Sequence, residues 1–327
     1  MSEINNVLST WTFSDKNIER IEKCIAPAKL ITVHKTNYEM IGKALQYVDV
    51  AFLWNDIDER YINAPNLKWI QFAQAGLEKS LCSKVFEKNM KITSGAGCSI
   101  VTLSEHAMFF LLALSYNSIK LYNNQKNKIW EQSVLASQKC LNGKTLGIIG
   151  YGNIGRKVAE VAKGFGMNII AYNRSAVEKD SIFNRIYCAE NKEVMDEVLE
   201  QSDYVLLSTN LTKETYHMIG KAEFKKMKNS TCIINVSRGS VIDEEAMIQA
   251  LNESEIAGAA LDTTEVEPLP SDSPLWEMDN VILTPHWSPL DELLEDKLID
   301  VLEENVKRYK NNQTLINQLS ERDIFKE

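Results

Sequence analysis

The 327 residues hold no apolar run long enough to cross a bilayer. The strongest, 107–114, falls far short of the roughly 20 residues a membrane helix needs. The amino terminus, Met1-Ser2-Glu3-Ile4-Asn5-Asn6, lacks the basic start, apolar stretch and cleavage site of a secretory signal. A basic excess is missing too. With 36 Lys and Arg against 45 Asp and Glu, the formal net charge of −9 argues against a nucleic-acid binder, whose footprint is a basic face. It leaves room for an anionic small ligand, because a local cluster of amides and one Arg overcomes a distant negative field. The cysteines Cys24, Cys82, Cys98, Cys140, Cys188 and Cys232 form no C-x-x-C pair. That scatter fits free thiols in a reducing cytoplasm better than a disulfide framework or a zinc site. Internal repeats and low-complexity segments are also absent. These absences predict a soluble, cytoplasmic protein with neither nucleic acid nor membrane as partner.

What is present reads as two globular domains. Hydrophobic residues make up 44% and charged residues 25%, ordinary for a soluble fold, and the length suits two domains of roughly 100–200 residues. Residues 14–24 predict a helix capped by Ser14 or Asp15, with Ile18, Ile21 and Ile25 on one face. Short apolar runs at 30–33, 48–54, 67–72 and 90–93 predict buried parallel strands with helices between them, a small α/β domain. From 102 to 122 apolar residues surround the helix axis. A helix apolar all round is buried on every side, which predicts packing on its own sheet and on a second subunit, hence a homodimer. Residues 123–142 read as a connection.

A second α/β series begins at Gly143. Strands are predicted at 145–149, 168–172, 204–208, 231–235, 258–262 and 281–284, in the βαβ rhythm of a doubly wound sheet. A last helix, 290–309, is expected to return to the first domain. The predicted division is 1–99 with 290–327, and 100–289.

The clearest local signal is Gly150-Tyr151-Gly152-Asn153-Ile154-Gly155, between a strand and a helix. Alone, G-x-G-x-x-G is weak. In this setting Gly150 makes the tight turn, Gly152 admits a pyrophosphate to the backbone and Gly155 lets helix and strand pack closely. The amides of Asn153 and Ile154 open a helix whose positive end faces the phosphates.

With Leu141-Asn142-Gly143-Lys144-Thr145-Leu146-Gly147-Ile148-Ile149 leading into that loop, the chain resembles the D-isomer-specific 2-hydroxyacid dehydrogenases. Asn235-Val236-Ser237-Arg238-Gly239, Leu261-Asp262 followed by Glu267-Pro268-Leu269-Pro270, and Leu283-Thr284-Pro285-His286 extend the resemblance, in order, over nearly the whole chain. It implies an α/β fold of two doubly wound parallel-sheet domains, a Rossmann dinucleotide-binding domain inserted into a flavodoxin-like substrate domain. It also implies a dimer and a small anionic 2-oxo or 2-hydroxy acid as substrate.

The residues can be weighed on their own chemistry. Arg238 follows an apolar strand, at the edge where open α/β sheets bind ligands. A guanidinium there holds a carboxylate or serves as a surface ion-pair partner. His286 also follows a strand, and histidine as a residue type suits proton delivery to a carbonyl oxygen. By resemblance Glu267 is its carboxylate partner, fixing the tautomer, while Glu265 in the same turn is a decoy. Asp262, by resemblance, orients the nicotinamide carboxamide. Ala75, Gly76 and Leu77 follow a strand and form either an amide nest for a carboxylate, as the family uses this loop, or an ordinary turn. Trp54 suits cleft or core equally. His34, His106 and His217 read as structural.

Two features depart from the family's pattern. Trp287-Ser288-Pro289 stands where small residues and glycine are usual, so Trp287 is expected to shape the substrate pocket. At the end of the second strand of the glycine-loop domain stand Asn173, Arg174 and Ser175, with no carboxylate to hold the ribose hydroxyls. Arg174 and Ser175 suit a 2′-phosphate, favouring NADP(H) over NAD(H), although Arg174 can instead stack on adenine. The expected function is hydride transfer between NAD(P)H and a small 2-oxo acid. The alternative is a nucleotide-sensing, corepressor-like scaffold without turnover, a reading weakened by the lack of a long disordered tail.

Overall fold

Short apolar runs separated by helices build two parallel sheets, each in its own compact unit: Met1–Ser99 with Asp291–Glu327, and Ile100–Leu290. The computed structural model describes residues 3–77, 80–133, 138–176, 180–287, 292–321 and 324.

In the first unit, β1 (Asn6–Ser9), β2 (Lys29–Thr32), β3 (Val50–Leu53), β4 (Trp69–Phe72) and β5 (Lys91–Thr93) lie in the order β2-β1-β3-β4-β5. That is the flavodoxin-like order. β3 and β4 are buried along their whole length, because helices cover both faces of a parallel sheet. On one face the helices Asp15–Ile25 and Leu294–Lys310 bring Ile21, Ile25, Ile299 and Leu302 against Trp69. Arg20 ties the two helices together by bonding Asp300 and Glu303.

The second unit contains β6 (Thr145–Ile149), β7 (Asn168–Asn173), β8 (Arg185–Cys188), β9 (Tyr204–Leu207), β10 (Cys232–Asn235), β11 (Gly258–Leu261) and β12 (Val281–Leu283). Their order is β12-β11-β10-β9-β6-β7-β8, so the winding reverses between β6 and β9. A doubly wound sheet opens its ligand crevice at that switch, outside the carboxyl ends of the strands. Register aligns those ends: Ile149 pairs with both Tyr172 and Leu207, Asn235 with Leu207 and Leu261, and Leu261 with Leu283. The core beneath gathers Ile148, Leu206, Ile234 and Ala260 with Val158 and Ala162 of the helix Asn153–Gly164.

Two expectations need correction. Sequence pattern missed β1 and β8, four-residue runs Asn-Val-Leu-Ser and Arg-Ile-Tyr-Cys that are too short to read alone and become strands by pairing with their neighbours. The helix expected over 102–122 is broken at Asn117, which turns left-handed at φ 51°, into Ile100–Ser115 and Ser118–Lys126. Within the chain Ala107, Phe110 and Leu111 of the first piece are buried, and Phe109 is 52% exposed. The start expected for the last helix, Leu290, lies outside the described residues.

Candidate active site

The glycine loop joins β6 to the helix Asn153–Gly164, and each glycine meets a different constraint. Gly150 has φ +108°, a conformation open to glycine and strained for other residues. A Cβ at Gly155 would lie 2.5 Å from the carbonyl oxygen of Gly150, so only a bare Cα lets the helix sit this close to the loop. A Cβ at Gly152 would meet nothing within 4 Å. Gly152 and Asn153 are exposed and Ile154 is half-buried. Open space over the loop, with the first-turn amides beyond it, fits a pyrophosphate.

At the tip of β7 the Asn173 side chain is engaged on both sides. Its Oδ1 accepts from Tyr151 N at 3.2 Å and its Nδ2 donates to Ser175 O at 2.9 Å. Arg174 is exposed, and its charge is one of the influences holding the Glu214 carboxyl below its usual range, after hydrogen bonds from Glu214's own amide and from Thr212. The absence of a carboxylate at this tip holds for the sequence alone. In the folded chain Glu190, from the segment after β8, places its carboxylate on the amide of Ala176 at 3.1 Å.

Arg238, Asp262, Glu267 and His286 follow β10, β11 and β12, three neighbouring strands. Asn235, fully buried, shapes the first of these turns. Its Oδ1 accepts from the amide and the hydroxyl of Ser237, and its Nδ2 donates to the carbonyl of Arg238. The next residue must be glycine, since a Cβ on Gly239 would fall 2.0 Å from the carbonyl carbon of Thr264. Thus the loop bearing Arg238 touches the turn bearing Glu267.

That turn is pinned by several bonds. Thr264 N donates to Glu267 Oε1 at 3.2 Å, and Glu265 N donates to Glu244 Oε2 at 3.0 Å. Burial, followed by the charge of Glu265, pushes the Glu244 carboxyl up. The two carboxylates of the turn have separate partners: Glu265 lies 2.6 Å from His217 Nε2, and Glu267 lies 2.8 Å from His286 Nδ1. Glu267 accepts, so Nδ1 carries the proton and Nε2 is left for proton exchange. His286 itself is left-handed at φ 50°, with its amide shared between Asp262 O and Thr284 O at 2.8 and 2.9 Å.

Asp262 holds this corner together. It is buried, and its Oδ1 accepts from Thr284 Oγ1 at 2.6 Å and from Trp287 N at 2.9 Å. His106 Nε2 stands 3.0 Å from the same threonine oxygen and 3.4 Å from Asp262 Oδ1. Thr284 has one hydroxyl hydrogen and spends it on Asp262, so His106 Nε2 is the donor to the hydroxyl. Burial pushes the Asp262 carboxyl up, but the bonds from His106, Thr284 and Trp287 outweigh it and hold the group below the usual range. Thr263 Oγ1 next to it is buried with no hydrogen-bond partner among the described residues.

Ala75, Gly76 and Leu77 belong to the first unit, after β4. Their amides donate to no acceptor among the described residues. Trp287 is 63% exposed, whereas Ser288 and Pro289 lie outside the described residues. Sequence reasoning gave no site role to Asn235, Thr284 or Glu190, and read His106 as structural. A usable signal existed for His106, a titratable residue at the edge of the apolar stretch 107–114 of its helix.

A family model for the NAD binding domain of the D-isomer specific 2-hydroxyacid dehydrogenases matches residues 108–288. The chain is 34% identical over 292 residues, 86% of each chain, to a glyoxylate reductase of Thermococcus gammatolerans. It is 37% identical over 224 residues, 68% of this chain and 70% of its relative, to a hydroxypyruvate reductase of Thermotoga maritima. A solved D-isomer specific 2-hydroxyacid dehydrogenase family protein from Aeromonas salmonicida is 27% identical and aligns with a TM-score of 0.80, covering 97% of this chain and 99% of that one.

The buried carboxylate predicts a pH signature. A group whose pKa is lower in the folded than in the unfolded chain adds stability above the ordinary carboxylate value, and loses it as pH falls through the folded value. Replacing Asp262 by Asn is expected to cost about 1.5–3 kcal/mol at neutral pH, the scale of hydrogen bonds to a charged group. The gap between the two proteins should close below about pH 4. Urea midpoints across pH 7 to 3 check this, and a pH-independent gap would contradict a charged Asp262.

Proposed function

Because the chain belongs to the D-isomer specific 2-hydroxyacid dehydrogenase family, NAD(P)-dependent oxidoreductases of 2-oxo and 2-hydroxy acids, we propose that it reduces a small 2-oxo acid with His286 as proton donor. The observation that carries this reading is the 2.8 Å pair of His286 Nδ1 and Glu267 Oε2, with Arg238 on the adjoining strand end. A bound reduced nicotinamide supplies the hydride. Arg238 holds the substrate carboxylate and draws charge onto the carbonyl oxygen as the bond order falls. His286 delivers its Nε2 proton to that oxygen, and Glu267 keeps the imidazolium in place until then. Asp262 orients the nicotinamide carboxamide. The loop at Ala75, Gly76 and Leu77 is a carboxylate-binding loop of the first unit. Glyoxylate and hydroxypyruvate, from the names of the relatives, are the substrates to assay first.

For the cofactor, Arg174 and Ser175 favour the phosphorylated dinucleotide, since a forked cation and a hydroxyl suit a 2′-phosphate. For assembly, the exposed Val101 and Phe109 on the helix Ile100–Ser115, Tyr116 just after it, and Leu121 and Tyr122 on the helix Ser118–Lys126 favour a homodimer that covers them. All six cysteines are free thiols, consistent with a reducing cytoplasm.

Three outcomes are expected. His286→Ala should lower kcat roughly 100- to 10,000-fold with NADPH binding nearly unchanged, whereas Arg238→Ala should damage KM and kcat together. A His286→Ala enzyme of normal turnover would remove the proton-donor assignment. Steady-state kinetics should favour NADPH over NADH, and Arg174→Ala should raise the KM for NADPH about 10- to 150-fold. Equal or better use of NADH by the unmodified protein counts against the phosphate site. Light scattering at micromolar concentration should return the mass of a dimer, and a monomer would refute the proposed assembly.

A further inference from the structure

β7 and β8 pair in parallel with Asn173 opposite Cys188. Continued past both strand ends, that register carries Glu190 to the level of Ser175. The chain keeps the alignment. Glu190 N donates to Arg174 O at 3.1 Å, and Glu190 Oε2 accepts from Ala176 N at 3.1 Å. Cys188 Sγ also donates to Arg174 O, at 3.5 Å, and Asn173 Nδ2 holds Ser175 O from the other side. The turn 174–176 is therefore fixed by its neighbours, and a carboxylate already occupies one of its amides.

A carboxylate and a phosphate monoester ask the same of an amide, a hydrogen bond to a negatively charged oxygen. A 2′-phosphate arriving beside Arg174 would compete with Glu190 for the Ala176 amide and meet its negative charge. A ribose 2′-hydroxyl meets no such opposition, being neutral and able to donate to a carboxylate oxygen. Like charges set close together discriminate between ligands that are otherwise the same.

We infer that Glu190 is a cofactor-selectivity residue, which opposes the 2′-phosphate that Arg174 attracts and keeps the unphosphorylated dinucleotide acceptable. This rests on the reading that the turn 173–175 receives the adenosine ribose. Glu190 supplies from the end of the third strand of the winding the negative charge that the tip of the second strand lacks.

Glu190→Gln separates charge from scaffolding, because its amide oxygen still accepts from Ala176 N. The probes are adenosine 2′,5′-bisphosphate and 5′-AMP, titrated calorimetrically into the whole protein without turnover. Glu190→Gln should bind the bisphosphate roughly tenfold more tightly and change 5′-AMP binding by less than about twofold. The gain should shrink in about 0.5 M salt, which screens exposed charges. An unchanged affinity for the bisphosphate, or a parallel change for both probes, overturns the role of Glu190. Arg174→Ala, titrated alongside, locates the failure. Loss of bisphosphate binding there, with no gain in Glu190→Gln, removes Glu190 alone. No response in either variant removes the placement of the ribose as well.

Discussion

A buried carboxylate is costly unless donors surround it, and the corner of the second unit is organised around satisfying one. Asp262 ends up beneath the surface because it continues β11, a strand buried along its length. Thr284, the amide of Trp287 and His106 converge on its Oδ1. Two of these groups come from the segment after β12 and the third from the helix Ile100–Ser115, so neutralising one charge draws three pieces of chain together. Asp262 contributes its main chain as well, since its carbonyl accepts from the amide of His286. The left-handed backbone of His286 is thus held from outside, and strain of this kind persists only where the surroundings impose it.

The same economy governs the neighbouring turns. Asn235 folds the chain back so that Arg238 leaves the end of β10, and the missing Cβ of Gly239 lets Thr264 close over it. Glu267 is fixed by an amide of its own turn on one oxygen and by His286 on the other. Few of these groups have conformational freedom left, so their charges and dipoles point in fixed directions. The donors that hold them are themselves held by packing in the sheet beneath.

Much of this was legible in the sequence wherever chemistry is local. The glycine loop is one stretch of six residues whose spacing can be read directly, and the fold gives it a positive φ at Gly150, open space at Gly152 and no room at Gly155. Strongly apolar strands such as β3, β4 and β6 also announce themselves, because burial on both faces leaves a mostly apolar run. β1 and β8 do not, since each is only four residues long and interrupted by polar or charged residues, and pairing makes them strands. The helix break at Asn117 was hidden for a similar reason, as the apolar residues continue on both sides of it while the backbone turns.

Taken alone, the sequence determined the fold class, the dinucleotide loop and the residue types at the strand ends, because these depend on periodicity and on spacing within short segments. Tertiary structure decided which groups meet. The two carboxylates of one turn, Glu265 and Glu267, are two residues apart and chemically alike, yet each faces a different histidine. His106 reaches Asp262 across 156 positions because a helix happens to cross the end of β11. Glu190 reaches the tip of β7 because two strands pair in parallel register. A carboxylate's partner is fixed by distances of about 3 Å, and such distances are set by packing between elements remote in sequence, which no local pattern records.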